Sequence, residues 1–213
     1  TIGLTKEGKV SFEGKMKNGK QHGSWITFFP DGRPRWKGVK KEGLSHGPFT
    51  MWYPDGKKKM EGSYKDGKKH GLWTTYYSNQ QIKDIGTYEN GIYNGKWTFY
   101  YKNGEKEKEG TLKNGNAHSK WVFYNESGKK TQEGLFNEGL KNGKWIAYFE
   151  DGKLTEGEYL NGKKDGTWTS WRNYDKTRKE MQGAYKSGKM VDKWYFYNNK
   201  GNLKEIRYFS PVF

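Results

Sequence analysis

The fold is decided by the ten-residue stretch GKWIAYFEDG at residues 143–152, because the chain repeats this phrase along its length. We place Trp145 at position 0 of the phrase. Steps of 24 residues towards the N-terminus, and steps of 23 and then 26 towards the C-terminus, reach equivalent positions. These are Thr1, Trp25, Phe49, Trp73, Trp97, Trp121, Trp145, Trp168 and Trp194. A fixed period of this kind indicates a repeat architecture. Because the period is unbroken, we predict one continuous repeat domain over residues 1–213, with copies starting near those nine positions.

A second aromatic residue and three glycines recur with position 0. The second aromatic stands three residues later, at position 3, in Phe28, Trp52, Tyr76, Tyr100, Tyr124, Tyr148, Trp171 and Tyr197. In the copy that starts at Trp97, the glycines are Gly104, Gly110 and Gly115. The first copy, from residue 1, and the last, from residue 194, depart from this pattern. Terminal copies of a repeat array diverge because they must face water, so we expect caps there.

Within one copy the residues predict two strands and two turns. Residues 97–101, WTFYY, are all β-branched or aromatic, which suits a pleated strand. The pair Asn103-Gly104 ends that strand, a more polar strand follows through residues 109–112, and the pair Asn114-Gly115 returns the chain. The predicted fold is therefore all-β: an elongated single-sheet antiparallel meander, a β-solenoid-like array of β-hairpin repeats with roughly sixteen to eighteen strands.

The glycine before the second strand needs a separate reason, since glycine weakens a strand interior. Such a glycine often marks the close approach of another group. We expect Gly62, Gly86, Gly110 and Gly134 to be floors on which an aromatic ring of a neighbouring strand lies. The two aromatic positions should then fall on opposite faces of the strand.

The amino-acid composition of the chain excludes some classes of function. The chain has 40 Lys and Arg against 24 Asp and Glu, a net charge of +16, 30 glycines and no cysteine. Disulfides, thiolate metal sites and cysteine nucleophiles are thereby excluded. The positive charge has two interpretations: solubility, with lysines that discourage edge-to-edge strand pairing, or attraction to a polyanion or an anionic membrane. Acids are interleaved, as in EKEKE at residues 105–109, which argues against nucleic acid as a partner.

The polar residues do not form a catalytic or metal-binding pattern. The four histidines share the slot three residues before position 0, where we expect a turn: His22, His46, His70 and His118. Neighbouring copies lie two strand spacings apart, about 10 Å, which is too far for shared zinc coordination. Glutamates recur before a glycine as Glu13, Glu61, Glu109, Glu133 and Glu156, and we expect a cross-strand lysine such as Lys96, Lys120, Lys144 or Lys193 as their partner. We therefore predict no enzyme activity, no catalytic or metal-binding residues and no cofactor.

The aromatic ladder is the remaining candidate site. The position-0 row is predicted to be structural: Trp25, Phe49, Trp73, Trp97, Trp121, Trp145, Trp168 and Trp194. The position-3 row is the candidate for partner binding: Trp52, Tyr76, Tyr100, Tyr124, Tyr148 and Trp171. Exposed aromatic rows anchor protein partners or stack on sugars and bases. The alternative, that both rows pack against glycines and each other, stays open at this point.

Taken together, these positions resemble MORN repeats, and more closely the variant class found in many bacterial proteins. The pattern Glu-Gly-x-Tyr-x-Asn-Gly-Lys-x-x-Gly-x-Trp-x-x-Tyr-Tyr is followed over residues 61–77 and, less fully, over 133–149. The resemblance implies an elongated, grooved β-meander that binds or scaffolds. Some variant members are labelled antitoxin-like, and some MORN proteins are linked with membranes or acidic phospholipids. The 24-residue copies are longer than is usual in the family.

These observations lead to one preferred function and two alternatives. We expect a non-enzymatic repeat scaffold that binds a protein partner along an extended β surface. The alternatives are attachment to anionic membrane lipid or a cell-envelope polymer through the basic surface, and carbohydrate binding by an aromatic row. Thr1 falls in register with the repeat, so we expect the chain to begin inside a longer protein. If a signal peptide has been removed, the expected location is the cell envelope, the periplasm or outside the cell.

Overall fold

The computed structural model of the chain describes residues 1–210, and residues 211–213 of the predicted C-terminal cap lie outside this range. The described residues form 18 strands and no helix. The strands are β1 (Ile2–Leu4), β2 (Val10–Lys17), β3 (Lys20–Phe28), β4 (Pro34–Lys41), β5 (Leu44–Trp52), β6 (Lys58–Lys65), β7 (Lys68–Tyr76), β8 (Ile82–Glu89), β9 (Ile92–Tyr100), β10 (Lys106–Lys113), β11 (Asn116–Tyr124), β12 (Lys130–Asn137), β13 (Leu140–Tyr148), β14 (Leu154–Leu160), β15 (Lys163–Trp171), β16 (Lys179–Lys186), β17 (Lys189–Tyr197) and β18 (Leu203–Phe209). Over residues 1–210 there is consequently no helix that could cross a membrane.

The chain divides into two units, Thr1–Glu105 and Lys106–Phe213. In the first unit, strands β1 to β9 pair in sequence order, each antiparallel to the next. In the second, strands β10 to β18 do the same. Each unit is thus a single antiparallel sheet. The predicted all-β fold of antiparallel hairpin repeats is confirmed, and the single continuous domain over residues 1–213 stays a prediction.

The two Asn-Gly pairs of a copy form different connections. Asn114 and Gly115 have φ values of 52° and 83°, and they alone separate the paired residues Lys113 and Asn116. This is a two-residue turn of type I′, which requires positive φ at both central residues and therefore favours Asn-Gly. At the other end of the copy, Gly104 has a φ of 93° within a longer loop that is closed by a 2.8 Å hydrogen bond from the Tyr101 amide to the Glu105 carbonyl.

Each hairpin contains a bulge close to position 0. In the β10–β11 pair, Gly110 lies opposite Trp121 but Thr111 lies opposite His118, so two residues of β11 are extra. The first of them, Ser119, has a φ of 60°. Most other copies place a glycine at this slot: Gly23, Gly47, Gly71, Gly95, Gly143 and Gly166. The histidines come directly before this slot, inside β3, β5, β7 and β11, so the expected turn location for them is wrong. Their cross-strand pairing, such as that of His118 with Thr111, is set by the two-residue turn, and the bulge comes after it.

The core of each sheet is a row of tryptophans that lie flat on glycines. The position-0 tryptophans are only 1–6% exposed. A methyl group added to Gly62 would lie 2.3 Å from the Trp73 ring, and seven of the copies show the same approach, at 2.1–2.3 Å. Phe49 is the exception, half-buried and 3.1 Å from such a methyl group on Gly38. The glycines therefore form the floors that the sequence predicts, and a single sheet buries its own aromatic side chains without a second layer.

Candidate functional site

Each sheet presents two chemically different faces. The tryptophan face carries the position-0 rings. The glutamate face, on the opposite side, carries the glutamates that precede the floor glycines and the position-3 aromatics. Because successive residues of a strand point to opposite sides, Glu133 and Gly134 supply one face each. A partner that lies on one face of a sheet would therefore contact either the tryptophan-face side chains or the glutamate-face side chains, but not both.

On the tryptophan face a second ring leans edge-on against the position-0 tryptophan in five of the copies. Phe136 contacts Trp145 with ring centroids 5.0 Å apart and planes at 88°, and Tyr159 contacts Trp168 at 5.2 Å and 89°. The aromatic residues that make these edge-on contacts all stand nine residues before position 0. They are Tyr64, Tyr88, Phe136, Tyr159 and Tyr185. Edge-to-face packing places the positive ring edge on the negative ring face, which stabilises the pair beyond its burial. The outer layer of this face is thus a set of half-buried rings.

Three lysines lie over these rings. The ammonium groups of Lys69, Lys141 and Lys164 are 4.3, 3.8 and 4.0 Å from the centroids of the tryptophans four residues later. Each also lies 4.8–5.1 Å from the Tyr ring on the other side. A cation over a ring face is attracted by the ring quadrupole. Burial against the rings disfavours the charged form and lowers the pKa of all three lysines.

On the glutamate face, position-3 residues donate hydrogen bonds to the glutamates. The Tyr148 hydroxyl donates to Glu133 at 2.8 Å, and the Trp171 indole nitrogen donates to Glu156 at 3.1 Å. Tyr76 and Tyr124 make the equivalent bonds to Glu61 and Glu109, at 2.6 and 2.8 Å. Burial and the adjacent carboxylate together raise the pKa of Tyr76, Tyr124 and Tyr148 to about 12. The donors of these side chains are therefore committed within the sheet.

Lysines complete these clusters. The Lys120 ammonium forms an ion pair with one carboxylate oxygen of Glu133 at 2.8 Å, and the Lys130 ammonium donates to the other oxygen at 3.2 Å. Burial alone would raise the pKa of Glu133, but hydrogen bonds from Lys120, Tyr148 and Lys130 outweigh it and bring the pKa to about 2. Lys144 lies 3.6 Å from Glu156, so two of the predicted cross-strand partners, Lys120 and Lys144, are in place. Elsewhere the glutamate pairs with a lysine three residues earlier in its own strand, as Lys58 does with Glu61 at 2.9 Å.

Within each unit, the predicted partner-binding residues share the glutamate face, whereas the histidines stay apart. All position-3 residues are half-buried. Their role in partner binding stays a prediction. The histidines are not brought together, since residues 1–210 contain no group of three or more His, Cys, Asp or Glu side chains that could hold a metal ion.

The lysines over the tryptophans and the edge-on rings were not singled out from the sequence. Their fixed offsets of four and nine residues before position 0 are the signal that could have found them.

One family model, described as MORN repeat variant, matches residues 45–66, 69–90, 93–114 and 141–162. The chain carries MORN repeats of the variant class. Each matched MORN repeat takes in two strands, the longer loop between them and the start of a type I′ turn. Residues 69–90, for example, include most of β7, all of β8 and Asn90 of the turn. No curated protein matches the chain. MORN repeats are scaffolds that interact with proteins or membrane lipids, and the family is not a known enzyme family.

Proposed function

We propose that the chain is a non-enzymatic scaffold that binds a protein partner along the position-3 residues on the glutamate face of each unit. One observation carries this proposal: a half-buried aromatic ring recurs on this face in successive copies, and four of the six rings, Tyr76, Tyr124, Tyr148 and Trp171, are held by a hydrogen bond to a glutamate. The rings recur from copy to copy across the strands of a sheet, so the partner they suit is extended. The proposal keeps the six residues singled out from the sequence: Trp52, Tyr76, Tyr100, Tyr124, Tyr148 and Trp171.

The fixed orientation of these rings supports binding. Association costs free energy for every side chain that must be ordered at the interface. Tyr148 is already held by Glu133, and Glu133 by Lys120 and Lys130, so the ring needs little further ordering. Rigid aromatic side chains with satisfied polar atoms are the usual anchors of protein interfaces. The exposed lysines around them would then select the charge of the partner.

The same exposed lysines favour anionic lipid or an envelope polymer as a second candidate partner. The side chains of Lys120 and Lys144 are 64% and 66% exposed on this face. Basic side chains near an anionic surface are attracted to it until salt screens the interaction. Flotation with vesicles containing phosphatidylserine, with neutral vesicles as the control, tests this candidate. Flotation that ignores lipid charge and salt would eliminate it.

A photo-crosslinking experiment tests the protein-partner proposal directly. A benzophenone amino acid replaces Trp52 or Tyr100 in the row, and Leu44, which is 53% exposed beside a type I′ turn, in a control variant. We expect discrete protein adducts in extract of the source cells from the two row positions and none from Leu44. Adducts that contain only lipid or glycan, or equal adducts from all three positions, would contradict the proposal. Carbohydrate binding by the row would be recognised by the glycan adducts.

A further inference from the structure

The tryptophan face of the second unit carries two lysines that have no carboxylate partner among residues 1–210. Lys141 on β13 and Lys164 on β15 each lie between a tryptophan and a tyrosine ring. Within the described chain, the Lys141 ammonium donates only to the Gln132 amide oxygen, at 2.9 Å, and Lys164 makes no ion pair. The electrostatic neighbour that Lys141 senses is Lys164, another cation. The positive charges of Lys141 and Lys164 are therefore available to pair with a carboxylate from outside the sheet.

The other lysine clusters of the chain differ in this respect. Lys69 holds the equivalent slot in the first unit, but the Asp84 carboxylate acts on it and partly offsets the effect of burial. On the glutamate face, Lys120 and Lys130 both contact Glu133. Ring faces and, for Lys141, the Gln132 amide oxygen replace only part of the hydration that these half-buried cations lose, so a carboxylate that arrives from a partner gains more there than at an exposed pair. The two unpaired lysines are thus the positions where charge complementarity would contribute most.

The spacing of these lysines defines the shape of the partner. They sit at the same slot of neighbouring copies, with only β14 between their strands, so they lie two strand spacings apart, about 9.6 Å. A polyproline II segment has three residues per turn and advances about 9.3 Å per turn, so its every third side chain points the same way. Tyr159 and Tyr185 flank the lysines with half-buried rings. Aromatic-lined grooves are the usual docking surface for polyproline II segments.

We propose that Lys141, Tyr159, Lys164 and Tyr185, which we term the lysine strip, bind an acidic polypeptide segment in the polyproline II conformation. The segment crosses the strands, and a carboxylate at every third residue pairs with Lys141 and then Lys164. This inference rests on the proposed function, since it takes the partner to be a protein. It uses the opposite face of the sheet, and so adds a second docking surface to the position-3 row.

Two other polyanions fit the strip less well. Duplex DNA carries one charge per about 1.7 Å of its axis, far denser than one cation per about 9.6 Å. A membrane surface attracts lysines that protrude, such as Lys120 at 64% exposure, whereas Lys141 and Lys164 are recessed between rings. A peptide side chain can reach a recessed ammonium while its backbone lies on the neighbouring tyrosines. An acidic peptide is therefore the occupant that the geometry favours.

Fluorescence anisotropy with labelled synthetic peptides tests the strip. The probe is four copies of Glu-Pro-Pro, and its neutral counterpart is four copies of Gln-Pro-Pro. We expect the acidic peptide to bind the wild-type chain at least about tenfold more tightly than the neutral one, with an affinity that falls as salt is added. We expect the double variant K141Q/K164Q to lose at least about tenfold in affinity for the acidic peptide.

The matched control is the double variant K163Q/K189Q. Lys163 and Lys189 are exposed lysines at the ends of β15 and β17, and Lys163 is the immediate neighbour of Lys164 on the other side of the strand. The net charge changes equally, so we expect binding within about twofold of wild type. Circular dichroism and thermal melts establish that both variants fold, and crosslinking at Trp52 reports the position-3 row separately.

Three results would overturn the lysine strip. The first is that the neutral peptide binds as tightly as the acidic peptide. The second is that K163Q/K189Q loses as much affinity for the acidic peptide as K141Q/K164Q does. The third is that oligothymidylate or phosphatidylserine vesicles displace the labelled acidic peptide at lower concentrations than the unlabelled acidic peptide does. If crosslinking at Trp52 fails while the peptide results hold, the position-3 proposal is wrong and the strip stands. If the peptide results fail while Trp52 still gives protein adducts, the strip is wrong and the scaffold proposal stands.

Discussion

The indole nitrogen of Trp145 donates a 2.8 Å hydrogen bond to the carbonyl oxygen of Leu135, the residue that follows the floor glycine Gly134. All seven position-0 tryptophans bond in this way to the residue ten positions earlier, at 2.8–3.1 Å. The accepting carbonyl belongs to the residue where the hairpin register slips, so the bulge makes it available to a side chain. A buried indole donor without a partner would be costly, and this bond therefore explains why the slot prefers tryptophan.

Replacing Trp97 with alanine should destabilise the first unit by about 3–5 kcal/mol, because a ring that is 1% exposed is removed from its glycine floor and its bond to Thr87 is lost. His70→Ala is the control, since His70 is exposed, and should cost less than about 0.5 kcal/mol. Thermal melts measure both, and hydrogen exchange should show the largest loss of protection in β8 and β9. Equal damage from the two variants would reopen a specific role for the histidine.

Adding a methyl group to a floor glycine should be tolerated only where the ring above it can move. Gly62→Ala places the new carbon 2.3 Å from the Trp73 ring and should cost about 1–3 kcal/mol or more. Gly38→Ala meets Phe49 at 3.1 Å, and the half-buried Phe49 can shift, so we expect a loss below about 1 kcal/mol. Urea denaturation of the two variants gives the comparison. A smaller loss at Gly62 than at Gly38 would contradict the role of the glycines as floors.

The bulge residue Ser119 offers a stabilising substitution. Its φ of 60° is unfavourable for a side-chain-bearing residue, and Gly143 takes this slot in the next copy with a φ of 72°. Ser119→Gly should therefore raise the free energy of unfolding by up to about 1 kcal/mol, after the entropy that glycine loses is counted. Gly143→Ser, the reverse change one copy later, should lower it by a similar amount. The urea concentrations at the unfolding midpoints of the two variants check both expected changes in stability. If Ser119→Gly lowered the free energy of unfolding, the serine side chain would stabilise the fold by more than its backbone strain costs.

Acid should weaken the glutamate face through Glu133. The folded state holds the pKa of Glu133 at about 2, below its ordinary value of 4.5, so the unfolded chain binds the proton more readily. The contribution of Glu133 is therefore complete above about pH 5 and is lost as pH falls towards 2. Glu133→Gln should cost about 1–3 kcal/mol at pH 7, because Lys120, Lys130 and Tyr148 lose a charged acceptor, and much less at pH 2.

Urea unfolding of this variant at a series of pH values measures the slope. The control is Glu138→Gln in an exposed turn, which should leave the slope unchanged. A pH profile of Glu133→Gln that runs parallel to wild type would show that the cluster contributes nothing in this range.

Most of the local architecture follows from the sequence repeat. The aromatic at position 0, the Asn-Gly pairs and the alternation of β-branched with polar residues predict hairpins, because each depends on the conformation of a few neighbouring residues. The floor role of Gly62, Gly86, Gly110 and Gly134 is also predictable, since a recurring glycine inside a strand has few other uses. The opposite placement of positions 0 and 3 follows from strand alternation alone.

The features that sequence reasoning missed all depend on register. The histidines were expected in a turn, but the two-residue turn closes before them, so that His118 pairs with Thr111 inside the strands. The pairing of Lys141 with Phe136, and of Lys164 with Tyr159, follows from the same kind of turn, and the bulge beyond it then brings Trp145 opposite Gly134. The side chains four and nine residues before position 0 are five residues apart in the sequence, and nothing in the sequence alone marks them as neighbours in space. They meet over one tryptophan only after the hairpin has closed.

By itself, then, the sequence determined the strand order within each unit, the turns and the glycine floors, because these follow from local conformational preference and a fixed period. Only the tertiary structure decided which side chains share a face, and hence that Glu133 has two lysine partners while Lys141 and Lys164 have no carboxylate partner within residues 1–210. A bulge of two residues changes little in the sequence, but it resets every cross-strand contact beyond it. Charge complementarity depends on those contacts, so the surfaces that we propose for binding could be recognised only in the folded chain.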